Sequence, residues 1–193
     1  MTIAIIPARG GSKRIPRKNI VDFLGQPMIT YPLRAAILSD AFDRIWVSTD
    51  DAEIGAVAGL YGADMILRPP ELADDYTGTQ AVVKHALTAI HNAVDIACCL
   101  YATAPLLKPD TLSDALAVLR GTDSDYVVPC ATWLRDPGQF YMGRADAFLQ
   151  DRPLLGDRTA LLRVDPETEC DINTEEDWMR AERMYDALKR GGA

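Results

Sequence analysis

The sequence has no excess of positive charge and few of the groups that announce metal or thiol chemistry. Its 193 residues carry 20 lysines and arginines against 28 aspartates and glutamates, a net charge of -8. A nucleic-acid surface normally needs a clustered basic face on a basic domain, so nucleic acid is excluded as a partner. Only two histidines are present, His85 and His91, and both fall in a helical pattern where a surface or structural role outweighs catalysis. The four cysteines, Cys98, Cys99, Cys130 and Cys170, show no zinc-ligand spacing. Cys98 and Cys99 lie inside an apolar run, where cysteine serves as a small buried hydrophobe, and reduced thiols in a cytoplasmic protein are the simplest expectation.

Long apolar stretches are missing as well. The N-terminus, MTIAIIPARGG, has no charged segment ahead of its short apolar run and meets proline and glycine at once. It fits neither a signal peptide nor a membrane span, so a soluble, untargeted chain without a membrane partner is expected. No repeat, low-complexity linker or second-domain boundary interrupts it. A composition of 48% apolar and 25% charged residues suits one globular domain over residues 1–193.

What the chain does have is alternation. Short apolar runs at 2–7, 44–48, 64–67, 95–101 and 125–129 read as strands. Helix-period patterns fall between and after them at 28–38, 51–61, 77–91 and 111–119. The pattern predicts an α/β fold with a three-layer, doubly wound, mostly parallel sheet, whose ligands bind beyond the carboxyl ends of the strands. The last third is less regular: a helix is expected at 143–149, a strand at 160–164 and a helix at 174–189, with Thr174 and Asp177 placed to cap its first turn.

The strongest chemical feature follows the first strand. There IIPARGGSKRIPRKNI joins Gly10 and Gly11 to Arg9, Lys13, Arg14, Arg17 and Lys18. Adjacent glycines let backbone N–H groups approach an anion, and the basic side chains offset the charge of a triphosphate. Neither the Walker A nor the G-x-G-x-x-G spacing is present. By pattern alone this is an anion site or a solvated basic loop. Asp50 and Asp51, after the second predicted strand, read as caps of the next helix.

The loop resembles the signature of the acylneuraminate cytidylyltransferase family. The similarity continues through FLGQPMI at 23–29, VSTDD at 47–51, RPPELADD at 68–75 and DINTEEDW at 171–178. LYATAPLL at 100–107 and DPGQFYMG at 136–143 resemble the pseudaminic acid branch more than the N-acetylneuraminate branch. The resemblance implies a Rossmann-like nucleotidyltransferase fold and transfer from CTP to an acidic nine-carbon sugar. The anomeric hydroxyl would attack the α-phosphate and pyrophosphate would leave, with Mg2+ as cofactor and no covalent enzyme intermediate.

On these residues it implies that Arg9, Ser12 and Lys18 hold phosphates with Asn19 beside them. Arg68, with backbone groups of Ala8, Gly10 and Gly11, would place the nucleotide. Ala102 and Thr103 would lie near the cytidine, and Tyr101, Gln139 and Tyr141 near the sugar. Asp171 and Asn173 would hold the metal, and Arg9, Lys18 and Asp171 would carry the catalytic roles. Plainer readings stay open beside these: Arg17 as a surface charge, Ser12 as a turn cap, Arg68 as a strand end, the two tyrosines as core aromatics, and Asp171 as a helix-entry residue.

Two departures qualify the resemblance. The family reads Asp-Ile-Asp at the metal site where this chain has Asp171-Ile172-Asn173, which removes one negative charge. Related enzymes also carry roughly 30 or more residues between the VVP strand and GQFY, a connection far longer than the ordinary loop seen near 130–138 here. In the family that segment serves the sugar side of the cleft and the homodimer interface. Alternatives therefore include a catalytically weak CTP-binding homologue, or an enzyme for N-acetylneuraminate or legionaminic acid.

Overall fold

The computed structural model describes residues 1–131 and 138–191. The chain opens with β1 (Thr2–Pro7), a loop, a small hairpin of β2 (Asp22–Phe23) and β3 (Gln26–Pro27), then α1 (Thr30–Leu38) and β4 (Arg44–Thr49). Next come α2 (Ala52–Leu60), β5 (Asp64–Leu67), α3 (Thr79–Ala89), β6 (Ile96–Leu100), α4 (Pro109–Gly121) and β7 (Tyr126–Cys130). The order ends with β8 (Phe140–Arg144), α5 (Ala145–Leu149), β9 (Thr159–Arg163) and α6 (Glu175–Gly191).

Seven strands form one sheet in the order β5-β4-β1-β6-β8-β7-β9. β1 pairs in parallel with β4 and β6, β4 with β5, and β7 with β9, while β8 runs antiparallel between β6 and β7. This is the mostly parallel, doubly wound sheet expected from the alternation of runs. β6 is buried along its whole length and β1 as far as Ile6, because both sheet faces are covered and each strand must be apolar on both sides. Successive residues of β1 serve opposite faces. Ile6 packs with Leu33, Val47, Ile54 and Leu112, whereas Ile3 and Ile5 pack with Val83, Leu87, Cys99 and Phe148.

Two expectations need correction. Phe140–Arg144 is a strand, so the helix expected to begin at Gly143 begins at Ala145. Gly143 cannot carry a side chain there, because a Cβ would come within 2.3 Å of the Tyr126 ring on the neighbouring strand. The hairpin β2–β3 was not expected either. Its two-residue turn has positive φ at both Leu24 (49°) and Gly25 (92°), the geometry that matches the twist of tight hairpins. The connection expected at 133–138 lies, apart from Gly138, outside the described residues.

The hairpin and the C-terminal helix together form a third core. Phe23 is fully buried and meets Tyr31, Trp178 and Tyr185 edge to face. Helix α6 is entered through the expected reciprocal cap: Asp177 N–H donates to Thr174 Oγ1 at 3.2 Å, and Thr174 N–H donates back to Asp177 Oδ2 at 2.8 Å. Docking α6 on Phe23 brings residues 170–173 beside the loop that follows β1. Among the described residues no helix is long and apolar enough to cross a membrane.

Candidate active site

The loop after β1 is held in shape by the elements around it. Ala8 N–H donates to the Ser48 carbonyl at 2.9 Å, and Asn19 Nδ2 donates to the Arg9 carbonyl at 2.9 Å. Gly10 N–H donates to Asp50 Oδ1 at 2.9 Å. The N–H groups of Ala8 and Gly10 thus already have partners. Arg17, at φ 55°, reaches α2, with Nη1 2.9 Å from Asp51 Oδ2 and Nη2 2.7 Å from Glu53 Oε2. Asp51 caps that helix as expected, accepting from Glu53 N–H and Ile54 N–H, and Arg17 holds its carboxyl below the usual carboxylate range. Asp50 has the different task of meeting Gly10.

Only one of the two glycines is required by close approach. A Cβ at Gly10 would lie 2.6 Å from Asp51 Oδ2, whereas one at Gly11 would meet nothing within 4 Å. The Asp51 carboxylate cannot swing aside freely, since its oxygens are held by Arg17 and two helix N–H groups.

Beyond the carboxyl ends of β1, β5 and β6 the loops enclose a cleft. Arg9, Ser12, Lys18 and Asn19 line it from the first loop, Arg68 from the end of β5, and Tyr101, Ala102 and Thr103 from the end of β6. Residues from three separate stretches of sequence are therefore brought to one place. A narrow recess continues from it between Arg9, Ser12, Lys13, Arg14 and Lys18, with Asn173 on its far side. Four cations around one recess favour a multiply charged anion.

Arg68 forms part of the wall and is only 4% exposed. Its Nε and Nη2 donate to Ser48 Oγ and the Ser48 carbonyl at 3.2 and 2.5 Å, and burial pulls its pKa down. Lys18 Nζ donates to the Ile172 carbonyl at 2.6 Å. Burial lowers the Lys18 pKa, and the nearby Asp171 carboxylate opposes that shift. Asp171 is exposed, and its Oδ2 accepts from Asn173 Nδ2 at 2.6 Å. The Asn173 amide oxygen faces the other way and accepts from Arg14 Nη2 at 3.0 Å. Asp171 also packs on Gly138, whose φ of 66° disfavours any side chain and where a Cβ would stand 3.0 Å from the Asp171 Cβ.

The residues expected near a sugar separate in space. Tyr101 lines the cleft, and its hydroxyl lies 3.2 Å from Thr79 Oγ1. Tyr141 meets the Tyr101 ring edge to face at 5.9 Å but lines a different, apolar recess with Val128, Leu155 and Leu161. Gln139 is buried, and its Nε2 donates to the Thr168 carbonyl at 2.8 Å, away from the cleft lining. The histidines do not line the cleft. Cys170 is buried with Ile172 in the third core, and burial pushes its thiol up to about 11.

Sequence reasoning missed Asp75. Its carboxylate crosses the cleft to Arg9 Nη2 and Lys13 Nζ, at 2.5 Å each. The acidic pair Asp74-Asp75 stood in view within RPPELADD, but nothing local in the pattern links it to a loop 66 residues earlier.

Residues 3–153 match the sequence model of the cytidylyltransferase family. A pseudaminic acid cytidylyltransferase of Campylobacter jejuni is 35% identical over 95% of both chains. That alignment runs over 221 positions, more than the 193 residues present here, so the relative has residues in that span without a counterpart. The N-acylneuraminate cytidylyltransferase A of Danio rerio is 32% identical over 93% of this chain and 50% of its own. Among solved structures, a CMP:2-keto-3-deoxy-manno-octonic acid synthetase complexed with CTP superposes with a TM-score of 0.75 at 16% identity, covering 97% of this chain and 99% of that one. The structural likeness establishes the fold, and the sequence matches show that this chain belongs to the cytidylyltransferase family.

Proposed function

We propose that this chain transfers the cytidylyl group of CTP to the anomeric hydroxyl of an acidic nine-carbon sugar, pseudaminic acid first, and releases pyrophosphate. The observation that carries this reading is the convergence of Arg9, Ser12 and Lys18 with Arg68 and the 101–103 turn on one cleft. The relatives named for pseudaminic and N-acylneuraminic acids support the acceptor class.

The chemistry needs positioning and charge neutralisation more than covalent participation. The recess of Arg9, Lys13, Arg14 and Lys18 takes the non-transferred phosphates. Lys18, pinned to the Ile172 carbonyl, keeps one cation beside Asp171 at the point where the α-phosphate would meet the acceptor. The sugar oxygen forms its bond to the α-phosphorus as the bridge to the β-phosphate breaks, and the hydroxyl proton is released to solvent. The pyrophosphate then carries the charge that the basic recess stabilises.

A divalent cation fits Asp171 better than Asn173. Magnesium commonly takes one or two carboxylates and completes its shell from substrate phosphates and water. Asp171 is exposed and offers such an oxygen, whereas the Asn173 oxygen is turned onto a guanidinium. When bound there, Mg2+ would supply charge neutralisation to the phosphates. Among the described residues no group of three or more acidic, histidine or cysteine side chains converges to hold an ion, so Asp171 would share it with the nucleotide.

Incubation with CTP, Mg2+ and separate sugar acids tests the reading. Pseudaminic acid is expected to turn over faster than N-acetylneuraminic or legionaminic acid, and equal or faster turnover of N-acetylneuraminic acid rejects the branch. The Arg14–Asn173 contact favours a second reading, a CTP-binding homologue weak in catalysis; ordinary CTP affinity without turnover of any acid would select it. A homodimer, usual in the family, would need an interface other than the segment the longer relatives carry, and sedimentation of the purified chain measures its state.

A further inference from the structure

Two carboxylates from outside the basic loop occupy donors that a polyphosphate would use. Asp75 bridges Arg9 Nη2 and Lys13 Nζ, at 2.5 Å to each. Asp50 takes the Gly10 N–H. Asp50 directly follows β4, whereas Asp75 belongs to a strap, residues 68–78, that forms the opposite wall of the cleft.

The strap is anchored at its ends and shaped in its middle. Arg68 N–H donates to the Thr49 carbonyl at 2.8 Å at one end, and Thr79 opens α3 at the other. Asp74 folds the tip by accepting from Tyr76 N–H at 2.9 Å and Thr77 N–H at 2.6 Å. Tyr76, at the apex, is 93% exposed, so its side chain does not hold the tip to the body. The turn aims Asp75 across the cleft at the two cations.

The balance of charge suits exchange. Lys13 and then Arg9 hold the Asp75 carboxyl below the usual carboxylate range, so it remains an anion at neutral pH. The Asp75 side chain is 30% exposed, Arg9 29% and Lys13 79%, and ion pairs this open to water are individually weak. A polyphosphate brings more charge and more acceptor oxygens to the same two cations than one carboxylate does.

We propose that Asp75 is an internal, exchangeable anion of the phosphate site. It orders Arg9 and Lys13 between turnovers, yields them to the non-transferred phosphates of the entering nucleotide, and competes for them again as pyrophosphate departs. The strap is thereby a positioning and release device, and Asp75 makes no bond to the reacting atoms. The proposal rests on the reading of the cleft as a nucleoside triphosphate site.

Asp75→Asn tests it, with inorganic pyrophosphate and CTP as calorimetric probes and steady-state kinetics beside them. Removing one charge from two partly exposed pairs should tighten pyrophosphate binding by about threefold to tenfold. The KM for CTP should fall, kcat should fall or stay level, and product inhibition by pyrophosphate should strengthen. Asp75→Glu, which keeps the charge, should bind pyrophosphate as the parent does. Should the asparagine variant fold poorly, Asp75→Ser carries the same expectation. Unchanged or weaker pyrophosphate binding in a folded neutral variant overturns the proposal, because a merely structural carboxylate would loosen the site when removed. If CTP binds neither parent nor variant, the nucleotide reading alone fails, and the pyrophosphate comparison still decides the role of Asp75.

Discussion

Lys18 Nζ donates to the main-chain oxygen of Ile172 at 2.6 Å, tying the loop after β1 to the segment that carries Asp171. The contact is long-range in sequence and half-buried, and it holds a cation near Asp171 in the wall of the cleft proposed to take the triphosphate. Lys18→Ala should remove a charge-assisted contact to phosphate of about 1.5–3 kcal/mol. Titration with CTP measures this, and an unchanged affinity would take Lys18 out of the phosphate site.

The two adjacent glycines should behave differently. Gly10→Ala pushes a methyl group onto the Asp51 carboxylate, which is fixed by Arg17 and the α2 N-terminus. Strain of about 1–3 kcal/mol is expected from such overpacking, with weaker CTP binding as the loop shifts. Gly11→Ala enters open space and should leave both stability and CTP affinity close to the parent. Denaturant midpoints and CTP titrations of the two variants give the comparison, and equal losses would contradict this account of the loop.

Much of this architecture is legible in the sequence because burial on both sheet faces writes continuous apolar runs. The strand at 2–7 forms with the expected bounds, as does the partly exposed edge strand at 64–67, and the cap at Thr174 and Asp177 forms as its spacing implies. β8 is harder to see because five residues between a glycine turn and a helix carry too little period to separate strand from helix start. The turn at Leu24 is hidden for another reason: leucine is a poor residue for φ 49°, and only its tertiary setting holds it there. The basic loop is visible as an anion site, yet the groups facing it, the Asp75 and Asp50 carboxylates and the Ile172 carbonyl, come from distant stretches, and no local pattern announces them.

Asn173→Asp should change metal dependence. The substitution places a second carboxylate beside Asp171, in contact with Arg14, and restores the negative charge that the asparagine lacks. Half-maximal activity should then need several-fold less Mg2+. A Mg2+ titration identical to that of the parent would place residue 173 away from the ion.

Acid stability should depend on Asp125. This buried carboxylate takes Arg158 Nε at 2.7 Å and Arg152 Nη1 at 2.7 Å, and Arg158 above all holds its pKa below the usual range. A depressed folded pKa contributes stability that is full above the unfolded carboxylate value, about 3.9, and is lost as pH falls through the lower folded value. Asp125→Asn should cost about 1–3 kcal/mol at pH 7 and should flatten the decline of stability below about pH 4. Urea unfolding at pH 7 and at acid pH reads both effects; an unchanged acid slope would assign the decline to other carboxylates.

The central claim concerns phosphorus, and phosphorus NMR tests it most directly. With the purified chain, CTP, Mg2+ and pseudaminic acid, the account predicts loss of the three CTP resonances and the appearance of a sugar-linked CMP phosphodiester and pyrophosphate in equal amounts. Persistence of CTP with this acid and with every other nonulosonic acid, under conditions where CTP binds, would contradict it.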